Sequence, residues 1–274
     1  MPVIDVWMQH PTQRFLREPW LKSLLRWLGT EEIPPPPLEF TLASMEDAEV
    51  VHGLCAAWCG PRGWLIDHDE VAAWAEQSQG RLIPVASADL SRPMDAVREL
   101  RRRVRERGFR ALRVVPWLWN LPPDDRRYYP LYAECCELGI PFCTQIGHTG
   151  PLCPSEPGRP IPYLDNVLLD FPELVVVGGH VGFPWIHEVL SLATKYPNFY
   201  IDTSAYKLTR LPAELVDYLR GRGRRKVLFG SNFPMLTAGA ALEGLDALQL
   251  DDETKGLFLQ GNAARIFRLQ APLA

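Results

Sequence analysis

The chain of 274 residues has no surplus of positive charge: 29 Lys and Arg face 33 Asp and Glu, a net charge of -4. A nucleic-acid-binding protein normally carries a basic excess, so that class of partner is not expected. The six cysteines, Cys55, Cys59, Cys135, Cys136, Cys143 and Cys153, are scattered and include no Cys-x-x-Cys pair. Cys55 and Cys143 sit in apolar runs and read as core thiols, the usage of a reducing cytosol, which predicts a cytoplasmic protein. No apolar run approaches the ~18 residues of a membrane span, and no leader-like segment precedes Val3. Nor is there a G-x-G-x-x-G after the first apolar run, an internal repeat or a composition shift that would mark a linker.

What is present is apolar mass. Hydrophobic residues make up 47% of the chain, enough for a large core without disulfide or metal staples. The length suits one α/β domain, residues 1–274. The Arg cluster Arg98, Arg101, Arg102, Arg103, Arg105 and Arg107, interleaved with Glu99 and Glu106, predicts the solvated face of a helix.

The stretch Leu174-Val175-Val176-Val177-Gly178-Gly179-His180-Val181-Gly182-Phe183-Pro184-Trp185 organises the rest. It reads as a fully buried strand delivering His180 at its C-terminal end, then a turn and a helix opened by Pro. Seven further strands read the same way: Val3–Gln9, Val50–Ala57, Leu82–Ala88, Ala111–Val115, Ile140–Gln145, Phe199–Asp202 and Lys226–Gly230. Helical spacing alternates with them over 67–79, 94–107, 128–138, 163–170, 186–195 and 212–219, with shorter helices over 41–48, 238–248, 252–258 and 262–267. Trp58 to Gly63 reads as a loop. Eight short strands alternating with helices in a chain near ~250 residues predict an α/β fold of the (β/α)8 TIM barrel type.

Such a barrel collects its strand ends at one rim. The expected set is Trp7, Gln9 and His10 from the first strand, Arg113 and Trp117 from the fourth, Gln145 and His148 from the fifth, His180, Asp202 and Asn232. Proton-transfer groups, a cation and aromatic surface suit a small ligand, aromatic or carboxylate-bearing. Trp7 reads equally as barrel filling, Arg113 as the partner of a structural carboxylate, and Asp202 as a cap for the turn into Thr203-Ser204. His52, His68 and His187 fall on a strand interior, a helix start and a helix body and carry no chemical role. The helical stretch Arg14 to Leu28 reads either as a lid or surface helix, or as the contact of a homo-oligomer anchored by Trp20 and Trp27.

Several stretches together resemble the amidohydrolase-related family, in its branch of aminocarboxymuconate-semialdehyde decarboxylase and related aromatic-acid decarboxylases. They are Val3-Ile4-Asp5, Asp170-Phe171-Pro172-Glu173-Leu174, Gly179-His180-Val181-Gly182, Tyr200-Ile201-Asp202-Thr203-Ser204, Val227 to Pro234 and Gly261 to Phe267. The resemblance implies a metal-dependent hydrolase or carboxy-lyase on a barrel. It also exposes departures. The family's first strand carries Asp-x-His-x-His, whose histidines bind a divalent metal; here it reads Asp5-Val6-Trp7-Met8-Gln9. The strand-five histidine corresponds to Gln145 and the strand-eight aspartate to Asn232; His180 alone matches.

Indole cannot ligate, and neutral amides are poor partners for a zinc-like ion that usually takes three His, Cys or carboxylate ligands. Two outcomes follow. Either His10, His148 and His180 form a rewired site for one divalent metal, or the pocket works with no cofactor. The sequence thus predicts an enzyme acting on a small acid or amide, aromatic acids included, by hydrolysis or decarboxylation. His180, His148 and Asn232 would carry the chemistry. Gln9, Gln145 and Asn232 would orient substrate or water, Arg113 would hold a carboxylate, and Trp7, Trp117 and Trp119 would form walls, with Asp202 beside them. The rival expectation is a non-catalytic barrel that binds a small molecule.

Overall fold

Short apolar runs rich in β-branched residues form the strands. The computed structural model describes residues 1–269. Strand β1 spans Val3–Met8, β2 Val50–Ala56, β3 Leu82–Val85, β4 Leu112–Val114, β5 Phe142–Gln145, β6 Val176–Gly179, β7 Phe199–Asp202 and β8 Val227–Leu228. β1, β2 and β3 pair in one parallel arc, and β4 to β8 pair in order in a second. Parallel bridges Ala86–Leu112 and Met8–Phe233 join the arcs. Across the seams Arg113 N donates to Ala86 O at 2.7 Å and Val6 N to Phe229 O at 3.1 Å. The expected (β/α)8 barrel is the observed fold.

The helices outside follow their sequence signals. Asp67 caps His68–Gln77 through a capping box with Glu70. Pro93–Arg107 opens on Pro and stops at Gly108, whose φ of 69° suits a residue without Cβ. Along that helix Arg103 departs from the expected solvated face. It is buried and ion-paired with Asp69 and Glu99, because its guanidinium reaches across to the preceding helix.

Two other expectations needed correction. The stretch from Arg14 to Leu28 is not one helix but short turns over Gln13–Leu16, Pro19–Leu21, Lys22–Leu25 and Arg26–Leu28. Pro19 has no N–H to continue the first turn and holds Glu18 extended at ψ 127°. The supposed loop after β2 is an antiparallel hairpin, Trp58–Gly60 with Gly63–Ile66. Among the described residues no helix is long and apolar enough to cross a membrane. All six cysteines are free, with Cys55 and Cys143 buried as expected.

The β1–β8 seam is tied by a carboxylate. Buried Asp5 accepts from the amides of Trp7 and Ser231, each at 3.0 Å, and from the Ser231 hydroxyl. Burial pushes its pKa up to about 6 against these donors. The arrangement fixes residues 231–233 against β1 and so sets Gln9 beside Asn232. Asp5→Ala should lower unfolding stability by ~2–4 kcal/mol, since it leaves buried donors unpaired. Asp5→Asn keeps an acceptor and should lower it by less than half as much, both read from urea unfolding followed by tryptophan fluorescence.

Candidate active site

The C-terminal rim of the barrel opens into a cavity of about 480 Å³. Gln9, Trp117, Gln145, His148, His180 and Asn232 all line it, so the strand ends meet as expected. The exits of β6, β7 and β8 each place a non-glycine residue with left-handed backbone there: His180 at φ 71°, Ala205 at φ 67° and Asn232 at φ 69°. Such conformations are disfavoured for L-residues and persist only where the surroundings enforce them. They turn the chain sharply at the floor of the cavity.

His180 is the floor's titratable group. Its Nδ1 lies 2.7 Å from Ser204 Oγ, which also accepts from the His180 amide at 3.2 Å. This leaves Nε2 for the cavity. Ser204 is held in turn by its amide, which donates to Asp202 at 2.8 Å. Burial lowers the His180 pKa to about 3, and the nearby Arg113 cation and His148 add to the shift. The imidazole is therefore neutral at ordinary pH. Around it stand amides. Trp117 Nε1 donates to Gln145 Oε1 at 2.7 Å, and Gln145 Nε2 donates to the His148 carbonyl at 3.2 Å. Gln9 Nε2 donates to the Phe233 carbonyl and, at 3.5 Å, to Asn232 Oδ1. His148 is exposed at the rim, its ring edge-on to Phe183 at 5.6 Å.

Five of the expected residues lie elsewhere. Trp7 does not line the cavity; its indole fills the barrel beneath, 5.0 Å from the His180 ring. A Cβ on Gly179 would come to 2.5 Å from that indole, so this glycine makes room for it. Arg113 is lower still. In register it sits opposite Cys143, two residues before Gln145, hence one layer down the barrel. Its guanidinium lies 4.0 Å from the centre of the Trp7 ring and donates to Val6 O at 2.9 Å and Met8 O at 3.2 Å. It cannot reach a ligand's carboxylate. Asp202 is fully buried; burial pushes its pKa up to about 6, and it braces the Ser204 turn, the role of a cap. His10 points out of the barrel, as strand parity dictates once Gln9 points in. Its Nδ1 is 2.7 Å from Thr41 Oγ1 and its ring is edge-on to Trp74. Trp119 likewise lies outside the lining, donating to the Cys59 carbonyl at 3.1 Å.

A rewired three-histidine metal site is thus not formed, since His10 is on the wrong side of β1. Among the described residues no three His, Cys, Asp or Glu side chains are grouped to hold an ion. Indole occupies position 7, amides already engaged in hydrogen bonds occupy 9 and 145, and the Arg113 cation below would repel a dication. The residues present do not fit the metal that the family resemblance implies.

Sequence reading missed much of the wall. Phe15, Trp20 and Leu24 from the broken helical segment line the cavity, as does Ile33 beyond it. Trp20 stacks on Trp58 at 6.1 Å and meets Trp117 edge-on at 5.0 Å, forming part of the aromatic wall. Tyr206, Lys207 and Arg210 line the rim after β7, and no Asp or Glu lines the cavity among the described residues. The signal for the two cations was their spacing of three just past a strand end.

Comparison with known proteins agrees with this geometry. An uncharacterized TIM-barrel protein from Bordetella bronchiseptica superposes with a TM-score of 0.84 at 28% identity, covering 98% of this chain and 99% of that one. A dihydroxybenzoic acid decarboxylase from a Polaromonas species, solved with manganese and an inhibitor, gives 0.74 at 18% identity, with 98% of each chain covered. In sequence, 221 residues are 26% identical to a 2-keto-4-carboxy-3-hexenedioate hydratase from a Sphingobium species, 65% of this chain and 62% of the hydratase. The match therefore spans less than two thirds of that relative. Residues 22–269 match the amidohydrolase family, and the chain belongs to that family of enzymes.

Proposed function

We propose that the protein is a metal-independent carboxy-lyase for a small aromatic or conjugated acid, with His180 as its proton carrier. One observation carries the reading: a neutral imidazole, oriented through Nδ1, presents Nε2 to an aromatic-walled cavity whose residues supply no ion cage. The hydratase relative is named for an unsaturated carboxylic acid and the decarboxylase neighbour for an aromatic one, which supports the choice of substrate class.

A bound carboxylate brings negative charge to the floor and raises the proton affinity of His180. Protonated His180 then delivers the proton from Nε2 to the carbon bearing the carboxylate. The bond to the carboxylate breaks, its electron pair returns to the ring or conjugated system, and carbon dioxide leaves. One proton is consumed per turnover, and His180 regains it from solvent. Gln9, Gln145 and Asn232 are uncharged, so they orient the acid while stabilising its ionised form less than a fixed cation would.

The pH profile separates this from hydrolysis. In the free enzyme His180 is almost entirely neutral above pH 5, so a step needing its protonated form should lose kcat/KM about tenfold per pH unit between pH 5 and 8. If neutral His180 instead activates water as a base, the profile is flat over that range, and hydrolysis or hydration replaces decarboxylation as the reaction. His180→Asn should reduce kcat by ~100-fold or more while changing ligand affinity by less than ~threefold, measured by carbon dioxide release and by calorimetry. Turnover within tenfold of the parent would remove His180 from the mechanism.

The second reading, a barrel that binds without turnover, draws on the same lost ion cage. It requires tight binding of acids with no product from any of them. Protein purified without added metal should contain well under one divalent ion per chain and lose no turnover in EDTA. Stoichiometric metal by elemental analysis, or loss of activity in EDTA with recovery on metal addition, would overturn the metal-independent proposal.

A further inference from the structure

The floor and the rim of the cavity differ in charge. Arg113 lies beneath the Trp7 indole and is bound by two β1 carbonyls, so the floor offers a ligand only amides and a neutral imidazole. The rim carries Lys207 and Arg210. They flank a single turn of 3₁₀ helix, Leu208–Arg210, closed by the Arg210 amide donating to the Lys207 carbonyl at 2.8 Å. Lys207 is the extended residue before the turn and Arg210 its last residue, and both line the same cavity. Lys207 Nζ is 2.6 Å from Glu243, whereas Arg210 has no ion-pair partner among the described residues. With no carboxylate in the lining and Lys207 already paired, Arg210 is the uncompensated cation facing the aromatic-walled volume among the described residues.

We propose that Lys207 and Arg210 form an anion clamp that holds a carboxylate which does not react. Resting on the acid-binding reading above, this makes the substrate two-ended. One anion is fixed at the rim, a ring-sized apolar body lies against Trp20, Trp58 and Trp117, and the reacting group reaches His180. Arg210 supplies the paired N–H donors that match a carboxylate, and Lys207 adds a second charge. Ligands are oriented by the end that is conserved through the reaction, and the floor stays free of fixed charge.

The test compares benzoate with benzamide, its uncharged isostere, by calorimetry at low salt. The parent protein should bind benzoate at least ~10-fold more tightly. In a Lys207→Gln/Arg210→Gln double variant the ratio should fall to within about twofold, with benzamide affinity unchanged as the control for an intact cavity. His180→Asn should keep the parent ratio. A ratio near one in the parent protein, or a preference that survives the double variant, would overturn the clamp while leaving the His180 chemistry to its own pH and turnover tests. A preference lost in His180→Asn but kept in the double variant would put the anion at the floor instead. Failure of the parent protein to bind either compound would count against the acid-binding reading and the clamp together.

Discussion

A guanidinium is buried at the centre of this barrel, and the rest of the site is arranged around it. Arg113 keeps its charge away from water by donating to two carbonyls of β1 and lying against the face of Trp7, a cation–π contact. Burial opposes that charge and lowers the Arg113 pKa, while the carboxylates Asp5 and Asp202 offset it electrostatically from the adjacent seams. Those same carboxylates brace the turns that carry Asn232 and Ser204, the hydroxyl partner of His180. One buried cation thus couples the closing of the cylinder to the placement of the chemistry.

The electrostatic consequence reaches the floor. A positive charge below His180 disfavours its protonated form, in the same direction as burial. The indole between them prevents a ligand from touching that charge. The protein therefore exerts a cation's long-range field at the floor without offering a cation's hydrogen bonds there. Direct contact with an anion is available only higher up, where the β7 exit projects Lys207 and Arg210.

Period-two and period-3.6 patterning was enough to read the barrel, because every strand is an apolar run followed by a glycine, proline or polar exit. The same parity brought Gln9, Gln145, His180 and Asn232 to one rim. Depth was not legible. Arg113 and Gln145 both point inward, and only the register of β4 on β5 shows that one lies a layer beneath the other. Pro19 lies inside the stretch whose apolar spacing reads as one helix, and its missing N–H breaks that stretch into short turns. Arg103, placed on a solvated face by its neighbours, is buried because acidic partners from the same and the preceding helix meet it. Lys207 and Arg210 fell in a stretch without strong periodicity, where geometry comes from a single short turn.

Trp7 also bears on how reversible this architecture is. Its side chain is accommodated by Gly179 and Gly230, whose added Cβ atoms would lie 2.5 Å from its ring and 3.2 Å from its Cβ, and the ring shields the guanidinium beneath. Reinstating histidines at positions 7 and 9 would leave a void above an uncovered cation, and any captured dication would then sit next to like charge. Installing an ion site here would therefore need simultaneous change in at least two layers of the barrel.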